Sequence, residues 1–249
     1  MSGDKANIHG ETVTYDAAGA KMKGYLAYDE TQSGKRPGVL VLPEWWGIDD
    51  YIRSRARKLA ELGFTALAVD MYGDGATADN PDAAGKAMNA ILEDMAGAGE
   101  ARFAAGLDLL SKQPTVDAAR IAAIGYCFGG AMVLHAARIG LDLRGVASFH
   151  GALGSFHKPA PGGVRAKVLV CHGGADKFVD GDAVKTFKAE MDEAGADYRF
   201  VVYDGALHGF TNPHADENGQ KFGLPLAYDA AADKKSWRQM QEFFADIFR

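Results

Sequence analysis

Short, uniformly apolar runs alternate along this chain with longer segments whose apolar residues recur every three to four positions. Residues 11–16 and 22–28 have strand character and are joined by Ala17-Ala18-Gly19-Ala20, which predicts an N-terminal antiparallel hairpin. After a turn at Gly34-Lys35-Arg36-Pro37, the run Val39, Leu40, Val41 and Leu42 is apolar on both faces, the pattern of a strand inside a parallel sheet. Similar runs follow at 64–69, 121–126, 145–149, 167–171 and 198–203. Between them the spacing turns helical. Ile52, Ala56, Leu59 and Ala60 follow a cap at Asp49 or Asp50 and end at Gly63. Ala84, Ala87, Met88, Ile91 and Met95 mark a helix over 82–95; Gly97 and Gly99 interrupt it, and a second piece reaches Leu110. Met132, Val133, Ala136 and Ile139 mark the next helix, with His135 on it as packing or surface. Val184, Phe187 and Met191 follow a cap at Asp180, and Trp237, Met240, Phe244, Ile247 and Phe248 define a C-terminal helix. The stretch 204–226 reads as a long loop.

Strands alternating with helices from Gly38 onward predict the α/β class: a mostly parallel central sheet with helices on both faces, plus the antiparallel N-terminal strands. A length of 249 residues suits a single domain over 1–249. In such sheets ligand sites gather at the carboxyl ends of strands. Glu44, Asp70, Cys127, His150, Asp176 and His208 all stand just past a predicted strand.

A net charge of −6 and the lack of any basic run argue against nucleic acid as a partner. Cys127 and Cys171 are the chain's two cysteines, too few for a disulfide framework and suited to a reducing compartment. The polar start of the sequence lacks a signal-peptide core, and no apolar run is long enough to span a bilayer. A soluble cytoplasmic protein with no membrane partner, a monomer or small homo-oligomer, is expected.

The most informative stretch is Gly125-Tyr126-Cys127-Phe128-Gly129-Gly130, where an apolar strand ends and a helical pattern begins at once. This is the pattern of a nucleophile elbow, G-x-C-x-G-G, with sulfur in place of the commoner serine oxygen. Side chains two residues either side of the central one would collide as strand and helix fold back, hence the glycines. The helix N-terminus would also point N–H groups and partial positive charge at the thiol. A buried free cysteine is the plainer alternative. Phosphate binding is less apt, because the Gly-Lys-Ser/Thr ending of a Walker loop and the G-x-G-x-x-G spacing of a dinucleotide loop are both missing.

Asp176 and His208 are individually ambiguous: aspartate after two glycines is a common turn residue, and His157, His172 and His214 compete with His208. Their order carries more weight. Cysteine, aspartate and histidine on successive loops after parallel strands is the chain order of an α/β-hydrolase triad. Cys127 would attack an acyl carbon, His208 would handle the proton and activate water, and Asp176 would orient the imidazole. The N–H groups of Phe128 and Trp45 would hold the oxyanion.

These residues give the chain its resemblance to the dienelactone hydrolase family of the α/β-hydrolase fold, over about residues 21–249. The carriers are Pro43-Glu44-Trp45-Trp46-Gly47, Asp70-Met71-Tyr72, the cysteine elbow, His172-Gly173-Gly174-Ala175-Asp176 and His208-Gly209-Phe210. The resemblance implies hydrolysis of a lactone or activated ester by Cys127, Asp176 and His208 through a thioester, with no cofactor or metal. It also implies that the Glu44 carboxylate disfavours a free thiolate until substrate displaces it. Founding members hold a substrate carboxylate with two arginines; here those positions fall at Gly73-Asp74-Gly75 and at Asn212. Trp45, Trp46, Phe128, Phe210 and His150 suggest a more neutral, partly aromatic substrate, and the expected pocket residues are Trp46, Tyr72, His150 and Phe210. The rival readings are a non-catalytic small-molecule binder, a thiol redox enzyme using Cys127, and a metal site of His172, Asp176 and His208, whose spacing is not a common zinc pattern.

Overall fold

A computed structural model of the protein describes residues 6–249. Eight strands and seven α-helices are formed by these residues. The strands are β1 (Ile8–Ala17), β2 (Ala20–Asp29), β3 (Arg36–Leu42), β4 (Thr65–Ala68), β5 (Val116–Tyr126), β6 (Gly145–Phe149), β7 (Lys167–Gly173) and β8 (Tyr198–Tyr203). The helices are α1 (Asp50–Glu61), α2 (Pro81–Glu93), α3 (Glu100–Ser111), α4 (Phe128–Arg138), α5 (Gly181–Glu193), α6 (Ala215–Phe222) and α7 (Ala230–Ile247). The sheet order is β1-β2-β4-β3-β5-β6-β7-β8. By packing density the chain divides into two compact units, with the boundary between Ala122 and Ala123, inside β5.

In the first unit β1 and β2 form the antiparallel hairpin anticipated from sequence, closing at the Ala17↔Ala20 pair. Ala18 and Gly19 both lie at positive φ, +50° and +74°, the backbone of the tight turns that suit twisted hairpins. β2 pairs antiparallel with β4, and β4 pairs parallel with β3. Val39, Leu40, Val41 and Leu42 are wholly buried, as their two-faced apolar pattern demands. Asp49, not Asp50, caps α1 by accepting the Ile52 N–H at 3.0 Å. Between α2 and α3 the glycine-rich stretch does not simply break: Met95–Gly99 forms a π-helical turn, and Asp94 accepts the Ala98 N–H at 2.9 Å.

In the second unit β6, β7 and β8 are parallel, with Phe149 opposite Cys171 and Cys171 opposite Val201. Every residue of α4 is buried, so it is a core helix rather than an amphipathic surface one. Its last residue, Arg138, is buried with its charge answered. The guanidinium pairs with Glu190 of α5 at 2.8 Å and donates to the carbonyls of Leu153 at 2.9 Å and Gly154 at 3.2 Å. That arrangement satisfies a charge whose burial would otherwise be prohibitive. The stretch 204–226 departs from expectation, because it contains α6. In α7 the buried residues include Met240, Phe244 and Ile247, while Trp237 and Phe248 remain partly exposed.

The strand-to-helix turn at Cys127 has no room to spare. A Cβ added to Gly125 would fall on the Gly129 carbonyl group and 2.8 Å from the Gly130 nitrogen, all backbone that cannot step aside. Gly125→Ala is therefore expected to destabilise the fold by more than about 3 kcal/mol, the range of severe core strain. Urea denaturation of the variant against wild type would measure it, and a difference under about 1 kcal/mol would contradict the packing described.

Candidate active site

Cys127 sits at φ +52° and ψ −114°, a left-handed conformation rare for a residue with a side chain. Its N–H donates to the Phe149 carbonyl at 3.0 Å, and its own carbonyl accepts from Ala131 at 3.2 Å. The backbone is thus fixed on both sides, by β6 and by the first turn of α4. The side chain remains partly exposed. It leads directly into α4, where orphan N–H groups and the positive end of the helix dipole favour negative charge.

Asp176 and His208 are positioned by two loops stitched to each other. The Gly174 N–H donates to the Tyr203 carbonyl at 2.8 Å and the Ala175 N–H to Ala206 at 2.9 Å. Gly173 is needed here: a Cβ would lie 2.6 Å from the Ala206 carbonyl oxygen and 3.0 Å from that of Leu207. From the other side, Ala227 donates to the His208 carbonyl at 3.3 Å and Asp229 to the Phe210 carbonyl at 3.0 Å. The segment following α6 therefore clamps the histidine loop.

The side chains meet accordingly. His208 Nδ1 is 2.8 Å from Asp176 Oδ2, and the other carboxylate oxygen accepts the Phe178 N–H at 2.8 Å. His208 is also hydrogen-bonded to the Cys127 thiol group. Burial works against charge on the imidazole, but the Cys127 sulfur and the Asp176 carboxylate outweigh it and hold the pKa up, at about 10. Histidine and aspartate are both nearly inaccessible, at 7% and 8% exposure, so their attraction is little screened.

The histidine ring is walled by aromatic neighbours. His150 stands edge-on to it at a centroid distance of 5.3 Å and Phe178 at 4.9 Å. Phe210 is fully buried behind His150, at 5.2 Å. Phe178 is 53% exposed, an apolar ring left in solvent next to a buried imidazole. Nothing in its sequence context marked it, since the helical and strand patterns both skip the loop it occupies. His172 is buried too, and burial pulls its pKa down, so it is neutral at neutral pH. Cys171 lies wholly inside β7, where burial pushes its thiol up to about 12. Among the described residues no group of three or more His, Cys, Asp or Glu is arranged to hold a metal ion.

Glu44, Trp45, Trp46, Asp70 and Tyr72 belong to the first unit. Glu44 is buried, its carbonyl accepting the Gly47 N–H at 3.1 Å. The Trp45 and Trp46 rings lie 5.0 Å apart, and the Tyr72 hydroxyl donates to the Trp45 carbonyl at 2.9 Å. Asp70 is structural: its two oxygens accept from the backbone N–H groups of Lys23, Tyr72, Gly73 and Gly75 at 2.8–2.9 Å. Among the described residues no helix is long and apolar enough to cross a membrane.

This sheet and its loop geometry define an α/β-hydrolase fold. Residues 22–248 match the model of the dienelactone hydrolase family, and the chain belongs to that family of hydrolases. It is similar to a dienelactone hydrolase-like promiscuous phosphotriesterase from metagenomic libraries, at 36% identity and a TM-score of 0.88, covering 96% of this chain and 98% of that one. The solved structure named m3DLH is 39% identical at a TM-score of 0.89, with the same coverage of 96% and 98%. Protein usf of Aquifex pyrophilus is 28% identical over 95% of this chain and 98% of its own length.

The charge on His208 is directly measurable. In a protein labelled with ¹⁵N-histidine, its imidazolium signals should persist through neutral pH and titrate near pH 10. In Asp176→Asn the titration should move to lower pH, because an anion that favours the cation has been removed. Titration of the wild-type ring near its ordinary value of 6.5 would refute the electrostatics described.

Proposed function

We propose that the protein hydrolyses a lactone or activated carboxylic ester through a thioester acyl-enzyme, with Cys127 as nucleophile, His208 as acid and base, and Asp176 as the group that orients the imidazole. The observation that carries this reading is one ring with two partners: His208 is bound at Nδ1 to a buried carboxylate and is also hydrogen-bonded to the sulfur at the elbow.

The steps follow from these positions. The Cys127 thiolate adds to the carbonyl carbon, and the oxygen takes the electron pair. The Phe128 N–H at the head of α4 is the donor we assign to that oxyanion. The intermediate collapses to a thioester and expels an alkoxide or phenolate, which takes the proton from the His208 imidazolium. In the second half, neutral His208 takes a proton from water as the water attacks the thioester. Sulfur then leaves as thiolate, the carboxylic acid is released, and the proton remains on His208. Atoms and charge balance over the cycle: ester plus water gives acid plus alcohol.

Sulfur restricts the substrates. A thiolate is a better leaving group than an amine, so a tetrahedral intermediate from an unactivated amide returns to starting material. Lactones, aryl esters and thioesters have leaving groups that compete with sulfur. The substrate is also uncharged near the reacting bond in this reading. Asn212 spends its side-chain oxygen on the His214 N–H at 2.9 Å, and Asp74 is ion-paired with Lys23 at 2.6 Å, so neither offers a cation to a substrate carboxylate. A second substrate class has a specific support. The 36%-identical relative is described as a promiscuous phosphotriesterase, and the same thiolate could attack a phosphoryl centre bearing an aryl leaving group.

A panel of lactones, aryl esters, simple amides and an aryl phosphotriester, run on wild type and Cys127→Ala, tests the reading. Ester or lactone turnover should fall at least about a thousandfold in the variant, in line with loss of a catalytic nucleophile. Wild type quenched during turnover of a slowly deacylating ester should carry the acyl mass on the Cys127 peptide. Unchanged turnover in Cys127→Ala, or amides cleaved as fast as esters, would overturn it.

A further inference from the structure

We infer that His150 and Thr211 form a buried brace that fixes the orientation of the His208 imidazole, so that both are positioning residues for the hydrolysis proposed above. The inference rests on that reading of His208 and deepens it.

His150 directly follows β6 at φ +39°, left-handed although it is not glycine, and it has no exposed surface. Such a conformation persists only where the surroundings over-determine it. Here they do. The His150 N–H donates to the Cys171 carbonyl at 2.8 Å, continuing the β6–β7 ladder into the strained residue. The next residue, Gly151, lies backbone against backbone on Gly130 in the first turn of α4. A Cβ on Gly151 would sit 2.8 Å from the Gly130 Cα, and one on Gly130 would sit 2.7 Å from the Gly151 Cα. The chain cannot relax around His150 without parting β6 from β7 or from the helix that carries Cys127.

The enforced turn directs the imidazole of His150 to the histidine loop. Its Nε2 is 2.7 Å from Thr211 Oγ1, and Thr211 is itself wholly buried. Thr211 lies inside the turn closed by the Asn212 N–H on the Gly209 carbonyl at 2.8 Å, directly after His208. The His150 ring meets the His208 ring edge-on, at an interplanar angle of 64°. The hydrogen bonds of the His208 ring to the Asp176 carboxylate and to the Cys127 thiol group leave the ring free to tilt about the line that joins them. The edge of His150, held by Thr211, closes that rotation on one flank, and Phe178 stands on another at 4.9 Å. A displacement of about 1 Å at a reacting group can cost roughly a hundredfold in rate, so a brace of this kind bears on kcat without touching substrate.

The test uses the full chain with an aryl ester that wild type turns over. Thr211→Val, which keeps the shape and removes the hydroxyl, and His150→Phe should each lower kcat about 10- to 100-fold, with KM changed less than about threefold. The double variant should be no slower than the worse single one, since both remove the same brace. Thr211→Ser and His150→Gln should recover most of the loss. The ¹⁵N signals of His208 should shift in Thr211→Val at a temperature where circular dichroism shows wild-type folding. Wild-type kcat in Thr211→Val, or losses that multiply in the double variant, would overturn the brace. Cys127→Ala separates the two ideas. If it abolishes turnover while Thr211→Val is as fast as wild type, the brace alone fails; if it leaves turnover intact, the reaction proposed above fails.

Discussion

A thiol stands at the head of α4 because the chain reverses within one residue, and it can reverse only where two stretches of bare backbone touch. Gly125 near the end of β5 lies so close to the backbone of Gly129 in the first turn of α4 that no Cβ fits on it. That contact throws the strain onto Cys127, at φ +52°, and lifts its side chain out of the core while its backbone stays inside. Everything chemical follows from this placement. The sulfur inherits the helix dipole, the N–H donors that follow it, and a position level with the loops that leave β7 and β8.

The second dependence is electrostatic. A buried imidazole by itself would be neutral, and burial does pull His208 in that direction. The Cys127 sulfur is the largest influence that reverses the outcome, and the buried Asp176 carboxylate, held by the Phe178 N–H on one oxygen and bound to the ring through the other, acts in the same direction. In a serine enzyme the hydroxyl stays protonated until attack, so the histidine must act as base in the first step. In the reaction proposed above, the first task of His208 is that of an acid, toward the departing alcohol.

Much of this was legible in the residues, for reasons that differ from place to place. The hairpin turn was readable because Ala17-Ala18-Gly19-Ala20 offers a glycine where φ must be +74°. The buried strands were readable because a run such as Val39 to Leu42 has no polar face to present to water. The elbow was readable because its glycines are a local steric requirement. What escaped were features set by distant partners or by weak local signals. α6 spells Ala215-Asp216-Glu217-Asn218-Gly219-Gln220-Lys221-Phe222, with scarcely an apolar face, and is announced only by Gly223 at φ +66° behind it. The Phe178 ring gains its meaning from His208, and nothing local marks it. His150 and Thr211 are 61 residues apart, and neither carries a local mark of the other. The burial of Arg138 is likewise set by a distant partner, Glu190 from another helix.

The two left-handed residues of the site, Cys127 and His150, are linked by a run of sheet hydrogen bonds. The Cys127 N–H bonds the Phe149 carbonyl, and the His150 N–H bonds the Cys171 carbonyl, so backbone hydrogen bonds to β6 and β7 reach both strained positions. Strain of about 1–3 kcal/mol at each such residue would relax in a free loop. Here relaxation would break ladder bonds and separate Gly130 from Gly151, each a loss of comparable size in the buried centre of the unit. The same two glycines that let α4 approach β6 thus prevent Cys127 and the His150–Thr211 pair from drifting independently. A movement of the elbow is transmitted to the turn at His150, and through Thr211 to the loop of His208. Rigidity around Cys127 and His150 is then a consequence of backbone proximity rather than of side-chain packing, which is why the residues that set it are glycines.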